Sequence, residues 1–234
     1  MSARAERLRD PRQRAERAAR ILDAAAELLA RHGYRRVTVD DVAAGAGIGK
    51  GTVYLHWKTR EQLFGAVFQR EVLRAIDELR QAVRRDPRAA LLHGFARTYF
   101  LAITDRPLLR GFLLGDPALL GKPTAERGER HDTTFRDYIA LLADRALLRD
   151  DMDVDDLAYA YQSTFEGFLR AESDAPGREV RADLLARTVR RAFENDPEPP
   201  EAVLADLAAA VADLLTALID ADRAESGIPA GRDG

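Results

Sequence analysis

Residues 38–60, TVDDVAAGAGIGKGTVYLHWKTR, carry the signals of two short helices joined by a turn. Thr38 is a suitable N-cap for a helix whose first turn carries Asp40 and Asp41, where the helix dipole favours acidic side chains. A glycine-containing turn at 46–48 ends that helix, and a second short helix fits residues 50–56. Two short helices joined by such a turn predict a helix-turn-helix.

The residues of the two helices and their turn divide into a buried set and, on the second helix, an outward-facing set. A small core is predicted to fix the crossing of the two helices: Val42, Ala43, Ile48, Val53 and Trp57. The residues left facing outward are mostly hydrogen-bond donors: Lys50, Gly51, Thr52, Tyr54 and His56. Donors with little acid among them suit base edges and phosphate oxygens, and a glycine lets DNA approach closely. The alternative is an ordinary helical hairpin that carries polar residues by chance.

The distribution of charge supports a nucleic-acid-binding segment at the N-terminus. Although the net charge is −3, residues 1–60 hold 13 Lys and Arg against 7 Asp and Glu, and the rest holds 23 against 32. A basic quarter on an acidic body is expected of a DNA-binding head joined to a separate domain. A basic arm without function is the alternative. The absence of cysteine excludes disulfide frameworks, zinc–cysteine sites, iron–sulfur clusters and cysteine nucleophiles.

Helical periodicity continues through the remainder of the 234 residues and predicts an all-α fold of about ten helices. Pro87 opens one helix, and the apolar segment 107–121 is broken by glycines and a proline. Further helices are predicted at 125–148, 154–173, 178–195 and 201–222. The predicted organisation is a flexible basic arm (1–14), a three-helix helix-turn-helix domain (15–60), a ligand-binding and dimerisation domain (61–225) and a disordered tail (226–234).

No apolar run approaches the roughly 18 residues of a membrane span, and the basic N-terminus is not followed by the apolar stretch of a secretory signal. A cytoplasmic protein without a membrane partner is expected.

The helix-turn-helix segment resembles a known family. A helix ending in RHGY, then TVDDVAAGAGIGKGTVYLHW, then a helix opening TREQLF are similar to the TetR family of bacterial transcriptional repressors. The resemblance covers about residues 15–68. It implies a homodimer that binds a palindromic operator in double-stranded DNA and releases it when a small-molecule effector binds. Gly49 departs from the family's usual capping serine, Trp57 from its phenylalanine and Arg60 from its lysine.

Carried over residue by residue, the resemblance implies a set of DNA contacts: Thr38, Lys50, Gly51, Thr52, Tyr54, His56 and Arg60. Thr38 and Arg60 are expected to touch phosphates. Residues 50–52 are expected to face base edges, and Tyr54 and His56 are expected to contact the DNA backbone.

Aromatic and polar residues on the middle helices predict an effector cavity. The predicted lining is Phe95, Tyr99, Phe112, His131, Phe135, Tyr138, Tyr161, Gln162 and Phe165. At helical spacing such residues also suit an ordinary core. The broken segment 107–121 favours a cavity, because a helix that packs poorly suits a pocket wall. Few polar groups on an apolar wall predict a mostly apolar, drug-sized effector with one or two polar groups.

The helix at 154–173 is apolar nearly all round and therefore needs cover on two sides. Together with the helix at 178–195 it predicts a dimer interface containing Leu157, Phe168, Leu169, Leu184, Leu185 and Val189. The alternative is a monomer whose core these helices complete. The leucine–valine stripe of the last helix fits either the interface or its own subunit.

Enzymatic chemistry is not predicted. The four histidines are scattered without metal-binding spacing, and the acidic run 150–156 lacks the glycine and glutamate of a calcium loop. No metal or cofactor is expected. The sequence thus predicts a ligand-responsive transcriptional repressor, and the alternative is a constitutive DNA-binding protein without an effector.

Overall fold

The computed structural model describes residues 10–115, 125–171, 177–196 and 198–226. Within these ranges all regular elements are helices, which confirms the predicted all-α class. The helices are α1 (Pro11–His32), α2 (Val39–Gly45), α3 (Lys50–His56), α4 (Arg60–Arg85), a 3-10 turn (Pro87–Ala90), α5 (Leu92–Thr104), α6 (Pro107–Leu113), α7 (Ala125–Ala143), α8 (Val154–Ala171), α9 (Arg178–Phe193) and α10 (Glu201–Ser226).

Thr38 caps α2 as predicted. Its Oγ1 accepts from the backbone N–H of Asp41 at 3.2 Å, while Asp41 Oδ2 accepts from the N–H of Thr38 at 2.8 Å. These reciprocal bonds form a capping box, and the same bonds lower the pKa of Asp41 below its ordinary value. In the turn that follows, Gly47 has φ +66°, where a side chain would be strained. Gly49 is the N-cap of α3 and supplies no side-chain hydrogen bond to it.

The N-terminal helices pack around a core of their own, hereafter the head core. Its buried members are Ile21, Leu22, Ala25, Leu29, Val37, Val39, Val42, Ala43, Val53, Leu63, Phe64 and Val67. The first half of α4 therefore completes the head, which extends to Val67, past the expected boundary at residue 60. The second core begins at Val72 on the same helix. Helix α1 begins at Pro11, so residues 11–14 of the expected arm are helical, and residues 1–9 lie outside the described part.

The second core lies among α4, α5 and α7–α10, with α10 packed on α4 and α7 of its own chain. Before α5, the helix predicted from Pro87 is instead a 3-10 turn followed by extended Leu91. Gly94 fits this corner because a Cβ there would lie 2.4 Å from the carbonyl oxygen of Arg88.

Several helix ends differ from the predicted ones. Helix α6 ends at Leu113 and is followed by Gly115 at φ +72°; residues 116–124 are outside the described part. Helix α7 ends at Ala143, because a turn with Ala146 at φ +53° leads into a β-bridge between Leu148 and Glu194. Helix α9 is two residues shorter than predicted and α10 is four residues longer. The predicted end of α8, residues 172–173, lies outside the described part. The expected tail from 227 onward is also outside the described part.

One described helix, within Glu201–Glu225, is long and apolar enough to cross a membrane by length and composition, with mean hydropathy 2.0. We did not predict this apolar segment from the sequence. Most of its large apolar side chains, including Leu204, Val211 and Ile219, are buried in the second core. Alanine raises the hydropathy of its other face. In all, 39% of this apolar segment is buried inside the protein.

Candidate nucleic-acid interface and cavity

The outer face of α3 presents one polar and one apolar side chain beside a glycine. Gly51, Tyr54 and Leu55 stand at positions i, i+3 and i+4, and Tyr54 and Leu55 are 38% and 60% exposed. Val53 on the opposite face is buried in the head core. Leu55 was not among the predicted contacts. Its position one residue after Tyr54 and four after Gly51 was the signal that places it on this face.

Lys50 and Thr38 both lie exposed near the start of α2. The Lys50 Nζ donates to Asp40 Oδ2 at 2.7 Å, which raises the pKa of Lys50. The Thr38 hydroxyl donates to Asp41 Oδ2 at 2.7 Å as part of the cap. Two of the predicted DNA contacts are thus held by acidic neighbours on α2. Thr52 is half-buried.

Arg60 is placed differently from the expectation of a phosphate contact. Its Nε donates to the carbonyl oxygen of Val37 at 3.0 Å, and its Nη2 donates to that of Tyr34. The guanidinium carbon lies 4.3 Å from the centroid of the Tyr34 ring and 4.7 Å from that of Phe64. Arg60 therefore joins α4 to the segment before α2 and turns its charge inward.

His56 lies half-buried at the end of α3, with its ring centroid 5.3 Å from that of Trp57. Burial lowers the pKa of His56 below 6.5, and the positive charges of Arg14 and Arg17 lower it further. At neutral pH the imidazole is therefore uncharged in the free protein.

A cavity of about 410 Å³ lies between the middle helices. It is lined by Ile76, Leu79, Phe95, Tyr99, Leu113, His131, Asp132, Thr134, Phe135, Tyr138, Tyr161, Gln162, Phe165, Glu166, Leu169, Val211, Leu214, Leu215 and Leu218. The structure brings together eight of the nine residues predicted to line it. The ninth, Phe112, packs on Phe68 outside the cavity, with ring centroids 3.7 Å apart.

The tyrosines of the cavity differ in how their hydroxyl groups are used. The Tyr138 hydroxyl donates to the carbonyl oxygen of Ala90 at 3.0 Å and so stabilises the corner before α5. The buried Tyr161 hydroxyl has no hydrogen-bond partner among the described residues. Burial raises the pKa of Tyr161, and the neighbouring Tyr99 raises it further. Burial likewise raises the pKa of Tyr99 to about 12, so both phenols stay protonated.

His131 is held at the edge of the cavity by a fully buried carboxylate. Its Nε2 lies 2.9 Å from Asp222 Oδ2, and Arg130 Nη1 donates to Asp222 Oδ1 at 2.8 Å. Gln69 donates to the Asp222 carbonyl oxygen at 2.8 Å. These bonds join α4, α7 and α10, so His131 has a structural partner in addition to its place on the cavity wall.

Four of the six predicted interface residues lie in the core of their own chain. Leu157, Leu169, Leu185 and Val189 are at most 2% exposed. Phe168 is half-buried, and Leu184 is 47% exposed. Helices α5, α7 and α9 cover the buried face of α8 within the chain. The expectation of a helix that is apolar nearly all round is wrong, because Asp155, Gln162 and Glu166 on its other face are exposed. The exposed apolar side chains on α8 and α9 are Val154, Tyr159, Val180 and Leu184.

Comparison with known proteins agrees with this arrangement. Residues 21–67 match the family model described as "Bacterial regulatory proteins, tetR family". An HTH-type transcriptional regulator of Mycobacterium bovis is 32% identical over 150 residues, covering 64% of this chain and 69% of that protein. The HTH-type transcriptional repressor AcnR of Corynebacterium efficiens is 25% identical over 174 residues, covering 73% and 91%.

Other matches are shorter or concern the fold alone. The chain spans about a third of the length (33%) of the fatty acid metabolism regulator protein of Bacillus subtilis, at 31% identity. The solved structure of SmeT, repressor of a Stenotrophomonas maltophilia multidrug efflux pump, superposes with TM-score 0.58 at 21% identity over 77% of this chain and 96% of SmeT. A complex of SmeT with triclosan is similar, with TM-score 0.58, 22% identity and coverage of 80% and 100%. These two structures share the fold.

The head core, its capped α2, its glycine turn and its exposed α3 coincide with the segment that the family model matches. The Mycobacterium bovis relative extends the likeness into the second core. The chain belongs to the TetR family of bacterial regulatory proteins, which are DNA-binding transcriptional regulators and not enzymes.

Proposed function

We propose that this protein is a cytoplasmic, dimeric transcriptional repressor that leaves a palindromic operator when a mostly apolar effector fills the cavity between α5, α7, α8 and α10. The observation that carries the proposal is a DNA-binding head joined through α4 to an aromatic cavity of about 410 Å³. A protein that only binds DNA needs no such cavity, whereas effector sites are commonly apolar cavities of this size.

We propose that the exposed face of α3 recognises the DNA sequence. Lys50, Gly51 and Thr52 face base edges, and Thr38, Tyr54 and His56 contact the backbone. Leu55 adds an apolar contact to this set because it is 60% exposed beside Tyr54. Apolar side chains in the major groove contact the thymine methyl group. Arg60 is left out of the set, since its guanidinium supports the turn before α2.

A repressor that responds to an apolar effector fits the proteins that resemble this one. AcnR is described as a repressor, and SmeT is a repressor solved with triclosan. Six aromatic rings line the cavity here: Phe95, Tyr99, Phe135, Tyr138, Tyr161 and Phe165. Such walls favour a drug-sized molecule with few polar groups.

Helix α6 is proposed to couple the cavity to the head. Leu113 lines the cavity, Phe112 packs on Phe68 of α4, and Leu108 packs against the head core. Arg106, just before α6, pairs with Glu78 of α4. A ligand that displaces Leu113 therefore acts on a helix that also touches the head. Decisive release requires several kcal/mol of difference in effector affinity between the two states.

The dimer is proposed to form on the faces of α8 and α9 that carry Tyr159, Val180 and Leu184. These side chains are 75%, 66% and 47% exposed. Helix α10 is left out because its leucines and valines pack on α4 and α7.

Selection from a pool of random DNA duplexes tests the DNA-binding part of the proposal. We expect enrichment of an inverted repeat whose half-sites lie one helical turn apart, about 34–36 Å. Binding to it should weaken steeply with added salt. Enrichment of no sequence, or of a single unrepeated site bound by a monomer, would contradict the proposal.

A further inference from the structure

The Tyr161 hydroxyl stands out among the polar groups of the cavity. The side chain is 4% exposed, and its oxygen is buried without a hydrogen-bond partner in the described structure. A buried hydroxyl left without a partner destabilises the state that contains it. The neighbouring Tyr138 hydroxyl, by contrast, donates to the carbonyl oxygen of Ala90 at 3.0 Å. Of these two cavity-lining phenols, that of Tyr161 is thus the one without a partner among the described residues.

The surroundings of Tyr161 are aromatic. The Phe135 ring is stacked on it at 5.3 Å between centroids, and the Phe165 ring lies at 6.1 Å. Tyr99 stacks on Phe165 at 5.7 Å and brings a second phenol to the same wall. Flat rings on several sides suit a flat or ring-containing ligand.

Charge on the wall disfavours an anionic ligand. Among the described lining residues the charged groups are the carboxylates Asp132 and Glu166, and neither Lys nor Arg is present. The imidazole of His131 is already bonded to Asp222. An anion transferred into an apolar cavity without a cationic partner carries a large desolvation cost.

The same carboxylates do not specify a cation. Both side chains are exposed, and Glu166 lies 4.0 Å from Arg170 on its own helix. Water and salt screen such charges. The buried part of the wall at Tyr161 therefore offers a neutral donor rather than a charge.

We infer that the effector is an uncharged, ring-containing molecule whose carbonyl or similar acceptor oxygen receives a hydrogen bond from Tyr161. The inference deepens the proposed function, because it rests on the cavity being the effector site. It assigns Tyr161 the discriminating role and leaves Tyr138 a structural one.

Three probes of one size and different polarity test this assignment: 2-acetylnaphthalene, 2-naphthoate and naphthalene. Each competes with the neutral fluorophore N-phenyl-1-naphthylamine for the full-length protein. The ketone should bind at least about tenfold more tightly than the other two, since a satisfied buried hydrogen bond is worth about one factor of ten.

The matched variants are Tyr161→Phe and Tyr138→Phe. The first should erase the preference for the ketone over naphthalene without lowering Tm, because the hydroxyl has no protein partner to lose. The second should lower Tm and keep the preference. Loss of the preference in both variants would overturn the assignment to Tyr161.

The outcomes separate the inference from the proposed function. If the fluorophore and all three probes fail to bind wild-type protein, the cavity is not an effector site and both fall. If 2-naphthoate binds most tightly, the cavity remains a ligand site and the inference of an uncharged effector is wrong.

Discussion

Phe112 of α6 packs on Phe68 of α4 with ring centroids 3.7 Å apart, one residue beyond Val67, where the head core ends. Leu113, the neighbour of Phe112, lines the cavity. The pair therefore lies between the proposed effector and the head.

Removing this contact should uncouple the two sites. Phe112→Ala should bind 2-acetylnaphthalene within about twofold of wild type, yet keep its operator when the ligand is present. The physical reason is that the mutation removes the aromatic contact of α6 with Phe68 of α4, while Leu113 stays in the wall. Fluorescence anisotropy of labelled operator, with and without ligand, measures it. Operator release equal to that of wild type would show that coupling takes another route.

Arg60 should matter for stability rather than for phosphate binding. Replacement by Lys keeps the charge but loses the donors to the Val37 and Tyr34 carbonyls and the planar contact with two rings. Arg60→Lys should therefore lower the free energy of unfolding by about 1–3 kcal/mol, measured by urea denaturation. Lys58→Ala, an exposed neighbour, is the control. Unchanged stability with weaker DNA binding would restore the phosphate role.

Features that depend on neighbours in the chain could be predicted from the sequence. The cap at Thr38, the turn at Gly47 and the periodicity of α3 are such features, because capping and turn geometry are local. The inward position of Arg60 is not one, since its partner carbonyls lie 23 and 26 residues away. The prediction that Phe112 lines the cavity is wrong, because helical spacing does not determine which neighbouring helix a side chain contacts. Leu157 and Leu185 were assigned to the dimer for the same reason.

Operator affinity should depend on pH through His56. Folding lowers the pKa of His56 below 6.5. The contribution of this group to the free energy of unfolding is therefore complete above pH 6.5 and is lost as the pH falls toward the folded-state pKa. A DNA phosphate beside the ring would raise the pKa, so binding takes up a proton.

Operator affinity of wild type should therefore rise as pH is lowered below 6.5, by at most about tenfold per pH unit for each head. His56→Gln should bind with a smaller pH dependence. Anisotropy titrations at constant ionic strength measure both. Equal pH dependence in wild type and variant would exclude a phosphate contact by His56.

Leu55 should contact thymine methyl groups in the major groove. Replacing single thymines of the selected half-site by uracil, which removes only the methyl, should weaken wild-type binding at one position by about 1 kcal/mol. Leu55→Ala should bind more weakly and be insensitive to uracil at that position. Tyr54→Phe, on the same face, should keep the sensitivity. A wild-type protein indifferent to uracil at every thymine would remove Leu55 from base recognition.

The dimer should depend on the exposed faces of α8 and α9. Leu184→Glu places a charge on a 47% exposed site, so the chain should still fold while the dimer is lost. Light scattering should then give 25.9 kDa, the mass of one chain, instead of twice that value. The control Ala209→Glu, on the exposed face of α10, should stay dimeric. A monomeric control with a dimeric Leu184→Glu would place the interface on α10 instead.

Filling the cavity should release DNA. Titration of 2-acetylnaphthalene into the complex of wild-type protein with its selected operator measures this release, because anisotropy reports bound DNA. Displacement of N-phenyl-1-naphthylamine, measured in parallel, reports cavity occupancy. We expect the operator to be released over the same range of ligand concentration in which the cavity fills. Full occupancy of the cavity with operator affinity unchanged would contradict it and favour a constitutive DNA-binding protein.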